Sequence, residues 1–100
     1  MGKVIIWSKL SLKHLESIHK YILKESDSLK TADKVINKIL VSSQQLSEHA
    51  EKYPIDKNKL LNNGNYRAYE IYNYRIAYRI LKEKVRILRV RHRSREPLKY

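Results

Sequence analysis

The spacing of apolar residues changes once along this chain, and that change limits the folds it can adopt. Up to Leu46 the apolar residues recur every three or four positions, whereas from Tyr66 onward they alternate with polar residues. The first spacing is typical of amphipathic helices, and the second is typical of strands with one buried face. We therefore predict a helical N-terminal half whose apolar stripes are covered by C-terminal strands, within one domain spanning residues 1–100.

The N-terminal half predicts one strand and two helices. The apolar run Lys3–Trp7 is the first strand, and Leu12, Leu15, Ile18 and Ile22 place a helix over residues 11 to 25. A second, longer helix has one stripe, and the short connection between the two helices predicts an antiparallel hairpin. That stripe consists of Ala32, Val35, Ile36, Ile39, Leu40, Ser43 and Leu46.

The C-terminal half predicts a meander of three strands. The polar segment His49–Gly64 is a loop that ends in a turn, and short turns at Asn73 and at residues 82–84 separate the strands after it. The three strands are Tyr66–Tyr72, Tyr74–Leu81 and Val85–His92. The order is β-α-α-β-β-β, an α+β fold in which a helical hairpin packs on one face of a mainly antiparallel sheet.

Positive charge is unevenly distributed along the chain. The formal net charge is +12, and all eight arginines lie beyond Tyr66, whereas the earlier cations are lysines. Arginine presents a planar fork that suits phosphate and carboxylate groups, while lysine is a hydrated point charge often found on solvated surfaces. The C-terminal strands therefore favour an anionic partner.

Strand alternation predicts where the arginines lie. On the middle strand Tyr74, Ile76, Tyr78 and Ile80 should face the helices, and Arg75, Ala77, Arg79 and Leu81 should face away. On the last strand we expect Leu88 and Val90 inside and Ile87, Arg89 and Arg91 outside, although Arg86 and His92 share the inward parity. The face of Arg67 stays unassigned. The predicted target- or partner-binding residues are Arg67, Arg75, Arg79, Arg89, Arg91, Arg93 and Arg95.

Several like charges on adjacent strands repel unless an anion lies between them. Nucleic-acid phosphates would satisfy them with a salt-dependent affinity. An acidic or amphipathic peptide laid across the sheet would use the same charges. The sequence leaves both partners open.

Tyrosine and histidine each allow a structural and a functional interpretation. Tyr74 and Tyr78 share parity with isoleucines, so we expect core packing rather than stacking on bases. His92 ends the last strand beside Arg91 and Arg93, which would favour a neutral imidazole able to act as a general base. A strand-end histidine hydrogen-bonded to backbone is the alternative.

Other classes of site lack a sequence signal. There is no cysteine, phosphate loop, nucleophile elbow or metal-spaced cluster, so we expect no cofactor and no metal. Any enzyme here would be metal-independent. No apolar run is long enough for a bilayer and the first ten residues do not resemble a signal peptide, so we expect a soluble cytoplasmic protein without a membrane partner.

Four segments occur in a diagnostic order: I-I-W-S before the helical hairpin, Y-R-I-A-Y-R-I at Tyr74–Ile80, I-L-R-V-R-H at Ile87–His92, and R-E-P at Arg95–Pro97. Together they resemble the RelE/ParE toxin superfamily from Val4 to Tyr100. The resemblance implies the toxin of a type II toxin–antitoxin pair, of the kind that stabilises plasmids and inhibits growth. It also implies a cognate antitoxin whose C-terminal segment wraps the toxin, with any oligomer formed through that complex.

Members of the superfamily act by two mechanisms, and this sequence has features that resemble each branch. RelE-like members cleave mRNA on the ribosome, and Arg75 matches the arginine that contacts their scissile phosphate. Arg95 and Tyr100 lie near that branch's C-terminal arginine and tyrosine, and His92 matches its histidine ending only in part because Arg93 follows. The implied nuclease set is therefore Arg75, His92, Arg95 and Tyr100. The H-x-x-R-E-P ending and the long helices favour ParE-like members, which inhibit DNA gyrase. A stand-alone RNA-binding module is a third, weaker interpretation.

Overall fold

A computed structural model describes residues 2–95 and 99–100. Its elements run in the order β1 (Val4–Trp7), α1 (Lys9–Ser26), α2 (Leu29–Gln44), α3 (Leu46–His49), β2 (Tyr66–Ile71), β3 (Tyr74–Ile80), β4 (Lys84–His92) and a 3₁₀ turn (Arg93–Arg95). The sheet order is β1-β4-β3-β2, with β1 parallel to β4 and the other pairs antiparallel. The predicted α+β fold, with a helical hairpin on a mainly antiparallel sheet, is confirmed. No helix within the described ranges is long and apolar enough to cross a membrane.

Serine caps define the helical hairpin. Ser8 Oγ accepts the Ser11 N–H at the start of α1, and Ser28 Oγ accepts the Thr31 N–H at the start of α2. Between them Asp27 adopts a left-handed conformation (φ 53°), which ends α1 and reverses the chain. These caps satisfy N–H groups that have no partner within the helix.

The core lies between the helices and one side of the sheet. Leu15, Ile39 and Leu46 of the three helices pack with Ile76 and Tyr78 of the sheet. Burying such a side chain stabilises the fold by about 1.5–3 kcal/mol. The predicted inward set of β3 is confirmed, because Tyr74, Ile76, Tyr78 and Ile80 are all buried in this core.

The second helix is shorter than predicted. Its stripe was expected to continue to Leu46, but α2 ends at Gln44 and Leu46 begins the short helix α3. Leu46 is nevertheless fully buried. Periodicity located the buried residue correctly, but it did not detect the turn between the two helices.

A β-bulge at Leu88 changes the side-chain alternation of β4. Ala77 lies opposite Arg89 and Tyr78 opposite Ile87, so Leu88 is an extra residue without a partner in β3. The predicted directions of Ile87 and Leu88 were therefore both wrong. Ile87, expected outside, is fully buried in the core, and Leu88, expected inside, is half-buried outside it. Val90, Arg89 and Arg91 have the predicted directions.

The same bulge relocates Arg86. Simple alternation gave Arg86 and His92 one parity, but Arg86 lies opposite Arg79, on the side away from the helices. His92 lies opposite Tyr74, on the helix side. The two residues are therefore on opposite sides of the sheet.

The turn between β2 and β3 is as tight as predicted. Tyr72 and Asn73 both have positive φ values, 53° and 76°. This combination is typical of the two-residue turns that match the twist of a β-hairpin. It sets the register in which Ile71 pairs with Tyr74.

Tyr78 provides a test of the core. Its side chain is fully buried, and its hydroxyl donates to the Ala50 carbonyl at 2.6 Å. Tyr78→Phe should lower the free energy of unfolding by about 1–2 kcal/mol because the carbonyl loses its donor. Urea denaturation measures the change, with Tyr72→Phe at a half-exposed position as control. Equal stability of the two variants would contradict the importance of this hydrogen bond.

Candidate functional site: an arginine-rich sheet face

The strand register places five arginines on the side of the sheet that faces away from the helices. They are Arg75 and Arg79 of β3 and Arg86, Arg89 and Arg91 of β4, and we call this surface the arginine face. Arg75 lies directly opposite Arg91, and Arg79 directly opposite Arg86. Like charges in directly opposed positions destabilise a sheet. The arginine face therefore contains two repulsive pairs.

Asp56 provides a counter-charge to Arg75 of the first pair. One carboxylate oxygen lies 2.7 Å from Arg75 Nη2, and the other accepts the Tyr100 hydroxyl at 2.7 Å. The side chain is only 1% exposed, and it also accepts the Asn58 N–H. Loop residues 50–65 bring Asp56 to the sheet, where its backbone N–H donates to the Tyr66 carbonyl.

Hydrogen bonding keeps Asp56 ionised. Burial alone would raise the pKa of this carboxyl group, but hydrogen bonds from Arg75, Tyr100 and the Asn58 N–H outweigh burial and hold the pKa below its ordinary value. Burial and the Asp56 carboxylate together raise the pKa of the Tyr100 hydroxyl. Tyr100 therefore stays protonated and donates to Asp56.

Tyr100 covers another part of the arginine face. Its ring lies 4.1 Å from the Arg89 guanidinium, which is buried. Its N–H donates to the Asn58 carbonyl at 2.9 Å, and its carbonyl accepts the Leu60 N–H. The anionic partner expected for these arginines is therefore supplied in part from within: Asp56 and Tyr100 of the same chain lie against Arg75 and Arg89.

The second pair has a different environment. Arg79 stacks on the Tyr66 ring at 5.2 Å, and its Nε is buried without a hydrogen-bond partner among the described residues. Arg86 is exposed. Neither contacts a carboxylate within residues 2–95 and 99–100. Two arginines therefore occupy directly opposed strand positions here without a described counter-charge.

The remaining predicted binding arginines lie elsewhere. Arg67 is opposite Tyr78, and its guanidinium donates to the carbonyls of Glu51, Tyr53 and Gly64. It therefore holds the loop rather than contributing to the arginine face. Arg93 and Arg95 are exposed in the 3₁₀ turn that follows β4.

The four residues of the implied nuclease set are not assembled at one point. Arg75 and Tyr100 meet through Asp56 on the arginine face, whereas His92 lies on the helix side with its ring edge-on to Tyr74. His92 Nδ1 accepts the Ser94 N–H, as the structural alternative for this histidine expected. The Arg95 carbonyl accepts a hydrogen bond from Arg91 Nη2.

Comparison with known proteins identifies the family. The sequence model of one protein family, described as the ParE toxin of the type II toxin–antitoxin system parDE, matches residues 5–97. The chain belongs to the ParE toxin family. A solved chain of the chromosomal ParDE TA system from P. aeruginosa has a similar fold, with a TM-score of 0.75 and 15% identity over 91% of this chain and 96% of that one. No curated protein matches the sequence at a significant level.

Sequence analysis of this ParE-family chain missed Arg86 of the arginine face and Asp56, which contacts that face. Asp56 lies in an irregular loop, and only the folded chain brings it to Arg75, 19 positions away. Its single sequence signal is an acid two positions after Pro54, in a segment otherwise rich in lysine and asparagine. Arg86 was missed because of the bulge, whose signal is the adjacent apolar pair Ile87-Leu88 interrupting the alternation.

The Asp56 pair of this ParE-family protein predicts a defined acid sensitivity. Asp56→Asn should lower the free energy of unfolding at neutral pH by about 3 kcal/mol, because Arg75 loses its buried counter-charge. The folded pKa of Asp56 lies below its unfolded value of about 3.9, so its contribution is complete above that value and is lost as the pH falls through the folded pKa. Urea unfolding across that acid range measures both effects.

Glu70→Gln is the matched control for this test. Glu70 lies opposite Arg75 in β2 but is exposed and has no described ion pair. We expect this variant to keep nearly wild-type stability at neutral pH. If Asp56→Asn retained the full acid dependence of the wild type, Asp56 would not be the group responsible.

Proposed function

We propose that this ParE-family toxin inhibits growth by docking on DNA gyrase through the arginine face, and that a cognate antitoxin blocks this action. The observation that carries the proposal is the directly opposed pair Arg79 and Arg86, which has no described carboxylate partner. Membership of the ParE family supports gyrase as the target, because ParE-like members of the superfamily act on that enzyme.

Electrostatic repulsion between Arg79 and Arg86 favours the binding of an acidic partner. Holding two guanidinium groups in directly opposed positions costs free energy, and an acidic surface placed between them would recover it. Lys59 adds a third cation, since its ammonium lies 4.6 Å from the same Tyr66 ring on which Arg79 stacks. The net charge of +12 would also accelerate encounter with an acidic partner.

The separation of the nuclease residues favours docking over RNA cleavage. A general base must come within about 3 Å of the proton that it abstracts, beside the cation that holds the phosphate. Here His92 and Arg75 lie on opposite sides of one sheet, and Tyr100 is hydrogen-bonded to Asp56. The two side chains are therefore not presented to a phosphodiester from the same side of the sheet.

The antitoxin is expected to carry acidic side chains. The similar solved chain comes from a ParDE toxin–antitoxin system, which supports an antitoxin partner for this chain as well. An extended or amphipathic segment with carboxylates would complement Arg79 and Arg86 and exclude the target from the same surface. A short acidic protein encoded in the neighbouring reading frame would provide such a segment.

A gyrase assay with charge-matched variants tests the proposal. The double variant Arg79→Gln/Arg86→Gln should require at least about tenfold more protein to inhibit supercoiling, since each lost charged contact is worth about 1 kcal/mol or more. The control Lys30→Gln/Lys34→Gln removes two charges from exposed positions of α2 and should inhibit like the wild type. Circular dichroism confirms that both variants are folded.

Mapping of mRNA 5′ ends after brief expression provides the opposing readout. In-frame cleavage within codons, with gyrase activity intact, would overturn the proposal and restore the nuclease interpretation. Equal loss of inhibition in both double variants would show that net charge, rather than the arginine face, drives the effect.

A further inference from the structure

We propose that a groove on the helix side of the sheet binds the phosphate of a nucleotide-sized ligand, a site separate from the arginine face. This helix-side groove has a volume of about 300 Å³ and lies between α1 and the end of β4. Its polar lining includes His14 and Tyr21 of α1, Tyr74 of β3, His92 of β4, and Ser94 and Arg95 of the 3₁₀ turn. The inference goes beyond the proposed gyrase docking and does not depend on it.

Two histidines of the helix-side groove are fixed in the same tautomer. The Val90 N–H donates to His14 Nδ1 at 3.0 Å, and the Ser94 N–H donates to His92 Nδ1 at 3.1 Å. Since a backbone N–H can only donate, both Nδ1 atoms must accept, and each neutral ring carries its proton on Nε2. Neither Nε2 has a hydrogen-bond partner among the described residues. The groove therefore contains two oriented N–H donors.

The His14 donor persists through the neutral pH range. Burial lowers the pKa of His14, and the charges of Arg91 and Arg89 lower it further. The ring is therefore neutral near pH 7, and its Nδ1 remains able to accept the Val90 N–H. A neutral imidazole that donates from Nε2 is a suitable partner for a phosphate oxygen.

The charge of the lining has one sign. Arg95 lines the groove, Arg91 of the arginine face reaches its edge by donating from Nη2 to the Arg95 carbonyl, and the described lining contains no aspartate or glutamate. Ser17 adds a hydroxyl group that can donate, whereas the Ser94 hydroxyl lies 2.8 Å from His92 Nδ1 and donates to it. Donors and cations without an acid among them are suited to an oxyanion.

The aromatic rim favours a nucleotide over a simple anion or an acidic side chain. Tyr21 is 61% exposed at the groove, and the buried Tyr74 ring stands at 90° to His92 with 5.3 Å between ring centroids. An exposed tyrosine ring can stack on a base, a contact that a peptide carboxylate would not use. The volume lies at the small end of ligand pockets, which suits one nucleoside monophosphate.

Titration of the full chain with adenosine monophosphate at about 0.15 M salt tests the site under moderate electrostatic screening. We expect saturable one-to-one binding that His92→Gln weakens about tenfold, by loss of a donor to a charged group. Tyr21→Ala changes an exposed residue, so it should fold normally; it should weaken nucleotide binding but leave inorganic phosphate binding unchanged. A 5′-phosphorylated oligonucleotide that binds more tightly, with the same variant effects, would assign the nucleotide to a nucleic-acid end, and equal affinity would assign it to the free form.

Two matched controls separate this site from general attraction to a basic protein. His19→Gln changes another α1 histidine, which pairs with Asp33 outside the groove, and Arg86→Gln removes a charge from the arginine face. Both should bind the nucleotide like the wild type. Non-saturable binding, equal weakening by Arg86→Gln, or tighter binding of a hexaglutamate peptide that displaces the nucleotide would each overturn the proposal. The gyrase proposal is tested with variants of Arg79 and Arg86, which lie outside this groove. A negative result in the gyrase assay would therefore leave the nucleotide proposal unaffected, and the reverse also holds.

Discussion

The contact between Asp56 and Arg75 is the interaction on which the helix-free side of this protein depends. Without the carboxylate, Arg75 would lie opposite Arg91 with an uncompensated charge in a mostly buried position. Buried ion pairs add little net stability, because desolvation offsets much of the attraction. They can also fix the positions of the groups that they join. Here the Asp56 carboxylate fixes Arg75, the irregular loop and Tyr100 relative to one another. The shape of the arginine face follows from this single contact.

The parts of the fold that the sequence predicted depend on local chemistry. Helical spacing identified Leu15, Ile39 and Leu46 as core residues, and strand alternation gave the directions of β3, because each pattern depends on neighbours a few positions apart. The turn at Asn73 is local in the same sense. These features specify the α+β architecture without any knowledge of long-range contacts.

The parts that the sequence did not predict depend on contacts between distant segments. The bulge at Leu88 becomes apparent only when β4 is aligned with β3, and it reverses the side on which Ile87 and Arg86 were expected. Asp56 acquires its role from residues 19 and 44 positions away. A count of arginines on one parity therefore overestimated how much of the surface was open, while it missed Arg86.

The bulge also determines which side chains of β4 lie on the helix side of the sheet and which lie on the arginine face. Before Leu88, β4 directs Ile87 into the core and Arg86 outward, and after it Val90 and His92 return to the helix side while Arg89 and Arg91 face away. A strictly alternating strand with Ile87 in the core would turn His92 toward the arginine face, where Arg75 lies. The extra residue keeps the imidazole and that guanidinium on opposite sides of the sheet. In this chain, the separation of the arginine face from His92 is therefore a consequence of strand register.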